Sequence, residues 1–341
     1  MIVKEDLTRI IKGKTVLVTG ASGTVGSEIV SQLSRWFPKQ IVCVGRHKDK
    51  LHEVIVARSK VHKDVDIILE TCDVCDHSRI NEVFVTYMPD IVFHMAAEKD
   101  IRSTDADPAN AVMVNVKGTL NVIAGACEIG SEKLVFSSSI KASQPTSVMG
   151  ATKRIGEMIV KSAAVNSEKS YYTVRLSNVL ESIGGVYALF CRQIENGGPI
   201  TITHPDAERV FVDAKVTARL LLETLAYGTP GSILALAAGD KIRVIDLAKR
   251  LINSYGLIPE DDIAISYVGL RDGERLVEET IAPGKKWKTT SHGEILMSNQ
   301  PGDAQNVPGF DIIVDELLKI ADSQETDKLL HKIRIIVPEY Y

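Results

Sequence analysis

Thr15–Gly26, TVLVTGASGTVG, reads as a strand, a tight turn and the opening of a helix. Thr15–Thr19 is apolar and β-branched with no polar break, the pattern of a strand covered on both faces. Gly20 permits the turn, Gly23 lets a backbone approach a phosphate, and Gly26 lets a helix pack closely on the strand. Ser22, Thr24 and Val25 complete the segment, and the helix start offers N–H groups and a partial positive charge to an anion. Glycines by themselves serve any set of turns. In this strand–turn–helix order they point to a dinucleotide-binding turn.

Outward from this segment the same rhythm repeats. Strands are expected at Gln40–Val44, Asp66–Glu70, Ile91–His94, Leu134–Ser137 and Thr173–Leu176. Helices are expected at Val25–Ser34, Asp49–Lys60, Asp76–Tyr87, Pro108–Glu128 and Met149–Ala164. Strand–helix alternation with short connections gives an α/β fold with a doubly wound parallel Rossmann sheet and right-handed crossovers. After Asn178 the rhythm breaks at Gly184-Gly185, Gly197-Gly198-Pro199 and His204-Pro205-Asp206. One more strand (Ile233–Ala237), a helix (Val244–Tyr255), a loop-rich stretch (Gly269–Gly284) and a helix (Ile312–Ala321) follow. The expected division is a dinucleotide-binding domain over 12–180 with returns near 208–256, a smaller loop-rich substrate lobe over 181–207 and 257–330, and a tail over 331–341.

Apolar residues make up 45% of the chain, enough for a sizeable core, and the net charge of -4 gives no electrostatic case for nucleic acid or an anionic membrane surface. The first residues, MIVKEDLTRIIKGK, are amphipathic and charged, and no apolar run approaches the roughly 20 residues that span a bilayer. A cytoplasmic protein is expected. The five cysteines read as thiols of a reducing compartment. Cys72 and Cys75 form a CxxC without a second pair, so packing around Asp73 is expected and no metal.

The end of the second strand, Gly45-Arg46-His47-Lys48, has no carboxylate before Asp49 to bond a ribose 2′-hydroxyl. Arg46 offers a planar fork of donors for a 2′-phosphate, which favours NADP over NAD; a solvated charged turn is the other reading. Asp73, with Val74 beside it, is placed to meet an adenine. Met95, Ala96 and Ala97 end the fourth strand with small side chains for the chain to pass beneath a cofactor. Asn115 is a polar residue on an apolar helix face, fitted to brace a strand backbone or else to lie at the surface.

Phe136–Arg154, FSSSIKASQPTSVMGATKR, resembles the STDKA…PTNVMGATKR stretch of the bacterial polysaccharide-biosynthesis branch of the nucleotide-sugar 4,6-dehydratases, which are extended short-chain dehydrogenases/reductases. Arg175…Asn178-Val179-Leu180 is similar to the family's RFGNVL, Gly197–Pro205 to GGPITVTHP, and Leu270–Leu276 to LRPGEKL. The ending Val337-Pro338-Glu339-Tyr340-Tyr341 also fits. Long members carry an N-terminal membrane region; this sequence resembles the soluble catalytic part.

The resemblance implies a UDP-linked sugar substrate, UDP-N-acetylglucosamine above all, and a homo-oligomer formed through the helices at Pro108–Glu128 and Met149–Ala164. It implies that Arg209, Arg271 and Asn178 contact the diphosphate, that Glu274 holds the ribose or base, and that Lys99 and Thr201 lie on the substrate side. Either arginine would also suit a surface salt bridge. The implied reaction oxidises C4, removes water across C5–C6 and reduces C6, and it needs a base for the 4-hydroxyl, a base for C5–H and an acid for the departing hydroxyl.

Three positions depart from the pattern. Met149 stands where the usual tyrosine of a YxxxK pair would be, leaving Lys153 to bond the nicotinamide ribose and Ser138 or Ser139 to relay the 4-hydroxyl proton. Ile140 replaces the family's acidic aspartate, while Lys141 remains to act at C5; Glu98, Asp100 and Asp105 are candidate substitutes for the acid. Ile183 stands where arginine is common. A C4 or C5 epimerase, which needs no such acid, and a nucleotide-sugar-binding subunit without turnover are therefore alternatives to the dehydratase.

Overall fold

The computed structural model describes residues 2–59, 65–182, 184–271, 273–278, 281, 286–298 and 309–340. Ile183 and Asp272 lie outside the described residues, as do Lys60, Gly284 and Tyr341. Helix α1 (Ile2–Ile11) leads into β1 (Thr15–Thr19), α2 (Thr24–Leu33), β2 (Gln40–Gly45), α3 (Lys48–Ser59), β3 (Asp66–Thr71), α4 (His77–Tyr87) and β4 (Ile91–His94). Then come α5 (Ile101–Ala106), α6 (Pro108–Val112), a π turn over Met113–Lys117, α7 (Gly118–Glu128), β5 (Lys133–Ser139), α8 (Val148–Ser167) and β6 (Ser170–Leu176). The single helix expected over Pro108–Glu128 is thus interrupted at Asn115. A π turn takes in one extra residue and re-aims its side chain, and here it turns Asn115 inward, where it is 1% exposed.

The second half holds β7 (Asn178–Val179), α9 (Val186–Glu195), β8 (Ile200–Ile202), β9 (Glu208–Val212), α10 (Ala214–Glu223), β10 (Ile233–Leu236), β11 (Asp240–Arg243) and α11 (Val244–Ser254). It ends with β12 (Ile265–Tyr267), β13 (Trp287–Thr289), β14 (Ile295–Ser298), α12 (Phe310–Asp322) and α13 (Thr326–Ile336). Among the described residues the main sheet has nine strands, in the order β13-β14-β10-β6-β5-β4-β1-β2-β3. Its doubly wound part is parallel, as expected. The last two strands are not: β14 runs antiparallel to β10, and β13 antiparallel to β14. A short turn suffices for that hairpin, whereas a parallel neighbour needs a long crossover.

All five residues of β1 are buried. Alternation divides them: Leu17 joins the core under α4, α7 and α8, while Val16 and Val18 join the core under α2 and α10. Each such side chain contributes about 1.5–3 kcal/mol on burial. Leu7 and Ile11 seat α1 on the second core. Val314, Leu317, Leu329 and Ile333 seat α12 and α13 on the first. Residues 310–336, expected to belong to the lobe and the tail, therefore cover the sheet. The lobe has its own core of Phe190, Ile194, Ile200, Ile202, Leu247, Leu251 and Ile265. Among the described residues no helix is long and apolar enough to cross a membrane.

Candidate functional site

A cavity of about 920 Å³ opens between the carboxyl ends of the parallel strands and the lobe. On the sheet side its wall begins with Gly20, Ser22, Gly23, Thr24, Val25 and Gly26. Gly20 has φ +64, and a Cβ there would stand 2.7 Å from Ala96 N. A Cβ at Gly26 would stand 2.3 Å from Gly20 O. Gly23 caps α2 with no side chain over the helix start. The turn is thus a bare backbone cradle facing the cavity, with the positive end of a helix behind it.

Arg46 lines the cavity at the end of β2 and is exposed. Asp73 and Val74 line the wall after β3, and Asp73 Oδ1 accepts the Cys75 N–H at 2.9 Å. Cys72 Sγ donates to Asp73 O at 3.3 Å, so the CxxC wraps this aspartate. Met95, Ala96 and Ala97 form the floor. Asn115 lies behind it: its Oδ1 accepts the Glu98 N–H at 2.9 Å, and its Nδ2 donates to Glu98 O at 2.9 Å and to Thr152 Oγ1 at 3.0 Å. It pins the loop after β4 rather than a strand. His94, which residue-type reasoning passed over, holds the same floor. Its Nδ1 pairs with Thr19 Oγ1 at 2.8 Å and its Nε2 with Thr119 Oγ1 at 3.1 Å. Burial, and then the nearby Lys153, pull its pKa down to about 3, so it stays neutral.

Helix α8 starts at the cavity because Ser147 caps it, accepting the Gly150 N–H at 3.2 Å. Lys153 projects from its second turn. Its Nζ donates to Ser137 O at 2.7 Å and lies 4.6 Å over the Phe136 ring. Burial pulls its pKa down to about 7 against the opposing pull of Glu157. Met149 is buried at 5% exposure, one turn before it, and lines the cavity. The two serines of β5 differ. Ser138 Oγ donates to Glu157 Oε1 at 2.7 Å, whereas Ser139 Oγ accepts the Lys141 N–H at 3.2 Å and caps the short turn Ile140–Ala142. Glu157 is gripped by Arg175 at 2.8 and 2.7 Å and by Arg154 at 3.1 Å. Burial would raise its pKa, but the two arginines outweigh that and hold it at about 2.

The lobe side brings together Lys141, Asn178, Thr201, Arg209, Arg271 and Glu274, with Lys99 and Ile140 at the edge. Arg209 Nη2 donates to Glu274 Oε1 at 2.7 Å, and Thr203 Oγ1 donates to the same oxygen at 2.9 Å. Arg209 Nη1 donates to Glu208 O and Leu276 O at 2.9 and 3.0 Å. Thr201 Oγ1 accepts from Gln193 Nε2 at 2.8 Å. Of the candidate substitute acids, Asp100 and Asp105 line the cavity. Each also caps local backbone, Asp100 at Ser103 N and Asp105 at Val148 N. Glu98 folds back onto the N–H groups of Lys99 and Asp100 and is not part of the wall. Glu278 is, and sequence reasoning missed it although it lies two residues past Leu276, where the resembling string was left.

A family model described as "Polysaccharide biosynthesis protein" matches residues 16–300. The capsular polysaccharide biosynthesis protein CapD of Staphylococcus aureus is 35% identical over 333 residues, 96% of this chain and 54% of that protein. The probable polysaccharide biosynthesis protein EpsC of Bacillus subtilis (strain 168) is 38% identical over 277 residues, 81% of this chain and 46% of that protein. The chain thus spans about half the length of these curated relatives. A UDP-glucose 4-epimerase of Rickettsia canadensis (strain McKiel) is 28% identical over 291 residues, 82% of this chain and 81% of that protein. Among solved structures, Pen from Bacillus thuringiensis superposes with a TM-score of 0.77 at 27% identity, covering 91% of this chain and 98% of Pen. DesIV from Streptomyces venezuelae, a dTDP-glucose 4,6-dehydratase with NAD and TYD bound, superposes with a TM-score of 0.68 at 20% identity, covering 77% of this chain and 84% of DesIV's, and shows the shared fold. With most of its length matched by one family model, the chain belongs to the polysaccharide biosynthesis protein family.

Proposed function

We propose that the chain is a cytoplasmic, NADP-dependent enzyme acting on a nucleotide-activated sugar, and that it catalyses 4,6-dehydration of a UDP-N-acetylhexosamine, with UDP-N-acetylglucosamine as the first substrate to test. The observation that carries this reading is one cavity joining the glycine turn and Lys153 to Lys141, Asn178, Arg209, Arg271 and Glu274. The cradle suits a pyrophosphate, since Gly23 leaves the start of α2 without a side-chain cap, and Gly20 and Gly26, where a Cβ would strike neighbouring backbone, let the turn close tightly. Ser22, Gly23, Thr24 and Val25 surround that group, Arg46 takes the 2′-phosphate, Asp73 and Val74 meet the adenine, and Met95, Ala96 and Ala97 lie beneath. Asn115 fixes the loop, and Lys153 holds the nicotinamide ribose. When bound, NADP would supply the hydride chemistry at C4 and C6 of the sugar. Ser139 takes the 4-hydroxyl proton, Met149 only packs, and Lys141 is the proton-transfer group at the C5–C6 edge. Lys99 and Thr201 flank the sugar. A homo-oligomer built on α7 and α8 belongs to the same reading.

A second reading is a C4 or C5 epimerase. It is favoured by Ile140, an apolar side chain of 7% exposure where an acid would assist water loss, and by the similarity to the Rickettsia epimerase. Incubation with UDP-N-acetylglucosamine and NADP in heavy water separates the outcomes. Dehydration gives deuterium at C5 with C6 reduced. Epimerisation gives inversion with the 6-hydroxyl intact. Binding without turnover marks a subunit that holds the sugar nucleotide and overturns both enzyme readings.

A further inference from the structure

Glu274, Arg209, Glu278 and Lys141 form one chain of ion pairs along the lobe side of the cavity. Arg209 Nη2 lies 2.7 Å from Glu274 Oε1, and its Nε lies 3.3 Å from Glu278 Oε1. Lys141 Nζ lies 3.0 Å from each oxygen of Glu278 and 3.1 Å from Asn178 Oδ1. An ammonium has three N–H bonds, and these oxygens use them all. Arg209 is occupied in the same way, since its Nη1 donates to Glu208 O and Leu276 O. Asn178 Nδ2 donates to Glu278 Oε2 at 2.9 Å. The Glu278 side chain is 12% exposed. Burial would raise its carboxyl, but Lys141 and Arg209 hold it below the usual carboxylate range.

Two positive and two negative charges cancel along this chain, and both cations are already spent on partners within the protein. A carboxylate brought in by a ligand would find them taken. It would stand beside the fixed negative charge of Glu278 in a site with little water, where like charges repel strongly. An uncharged hydroxymethyl group meets no such penalty. The exposed Arg271 and Arg275 line the same cavity, and their guanidinium groups suit a diphosphate as the balanced group does not. We propose that Glu278 is a specificity-determining residue: by balancing Lys141 and Arg209 it admits sugar nucleotides with an uncharged C6 and turns away the matching uronates, whose C6 is a carboxylate. The inference rests on the sugar-nucleotide reading above, with the C5–C6 edge of the sugar beside Lys141. It holds for dehydration and epimerisation alike. Such selectivity is a difference between two affinities set by a repulsive element, so binding alone reads it.

Calorimetric titration of the chain loaded with NADPH, which has no place for a further hydride and so prevents turnover, tests it. The ligands are UDP-N-acetylglucosamine, its C6 uronate and UDP. The natural chain should bind the neutral sugar nucleotide at least about tenfold more tightly than the uronate. In Glu278→Gln, which keeps the shape and removes the charge, the uronate should gain about tenfold or more while UDP stays within about threefold. Glu278→Asp should keep the preference for the neutral ligand. Lys141→Met reads the same field with the opposite sign, and should widen that preference about threefold or more even if Glu278→Gln fails to fold. Equal affinities in the natural chain, a preference that folded Glu278→Gln leaves unmoved, or one that Lys141→Met narrows overturn the proposal. A natural chain that binds neither sugar nucleotide overturns the sugar-nucleotide reading and the proposal with it. One that binds both equally keeps that reading and loses only the proposal.

Discussion

Ser138 Oγ donates to Glu157 Oε1 at 2.7 Å, which commits one of two adjacent hydroxyls to a buried carboxylate and leaves its neighbour to the cavity. Ser139, whose Oγ accepts a backbone N–H at the cavity wall, is then the hydroxyl proposed as the relay for the 4-hydroxyl. Ser138→Ala should cost about 1.5–3 kcal/mol of stability, the range for a hydrogen bond to a charged group, with turnover nearly unchanged. Ser139→Ala should lower kcat about 100-fold with little loss of stability. Denaturant unfolding beside steady-state turnover checks both; the reverse pattern contradicts the assignment.

Glu157 sits between Arg175 and Arg154 with 0% side-chain exposure. Glu157→Gln leaves two buried guanidinium groups undercompensated and should cost about 3–5 kcal/mol. Its folded pKa is depressed from 4.5 to about 2, so its contribution is complete above 4.5 and is lost as pH falls toward 2. Urea titrations through that window should show stability falling with acid in the natural chain and a flatter response at this site in the variant.

Lys153 has a linkage of the same sign in a higher pH window. Its folded pKa is lowered from 10.5 to about 7, so across that window the unfolded chain binds more proton, and stability rises with pH. Relative to Lys153→Met, the natural chain should gain stability steadily from pH 7 to 10.5. The variant should also bind NADP at least about tenfold more weakly, as expected for losing a charge-assisted hydrogen bond. Unfolding at a series of pH values and calorimetric titration measure the two effects.

In the proposed reading, Arg46 is the group on which the choice of dinucleotide turns. Arg46→Ala should weaken NADP binding about 10- to 100-fold, the equivalent of one or two lost charge-assisted hydrogen bonds, and leave NAD within about twofold. Equal losses for both dinucleotides would show that Arg46 does not read the 2′-phosphate.

Ile140→Asp places a carboxylate on the turn that carries Lys141, at a position of 7% exposure. If elimination is limited by its acid, product with a reduced C6 should form faster, toward the roughly 10²–10⁴-fold that general acid–base help supplies. An unchanged rate would show that elimination is not limited by an acid at this position.

The strand–turn–helix at Thr15–Gly26 was legible because its signals are local: an apolar run, three glycines at fixed spacing, and a helix pattern beginning at once. The candidate cofactor wall followed from it. What escaped was set by contacts between distant segments. The β13–β14 hairpin is made of two short strands whose place beside β10 depends on pairing rather than on composition. Helix α13 was divided between the lobe and the tail because its stripe of Leu329, Ile333 and Ile336 has meaning only against the core it covers. Glu157 and Glu278 were overlooked for the same reason. Arg175 comes to Glu157 from 18 residues away, and Lys141 meets Glu278 across 137. Asn115 announced itself as a misplaced polar residue, but the π turn that points it at Glu98 did not.

The central claim is that a phosphate-bearing dinucleotide and a sugar nucleotide share the one cavity, with the reacting ring beside Lys153 and Lys141. A crystal structure of the chain with NADP and UDP-N-acetylglucosamine tests it most directly. The account predicts the nicotinamide ribose within hydrogen-bonding distance of Lys153 Nζ and the sugar's C5–C6 edge facing Lys141. Ligands bound elsewhere, or Lys153 turned away from an empty crevice, would contradict it.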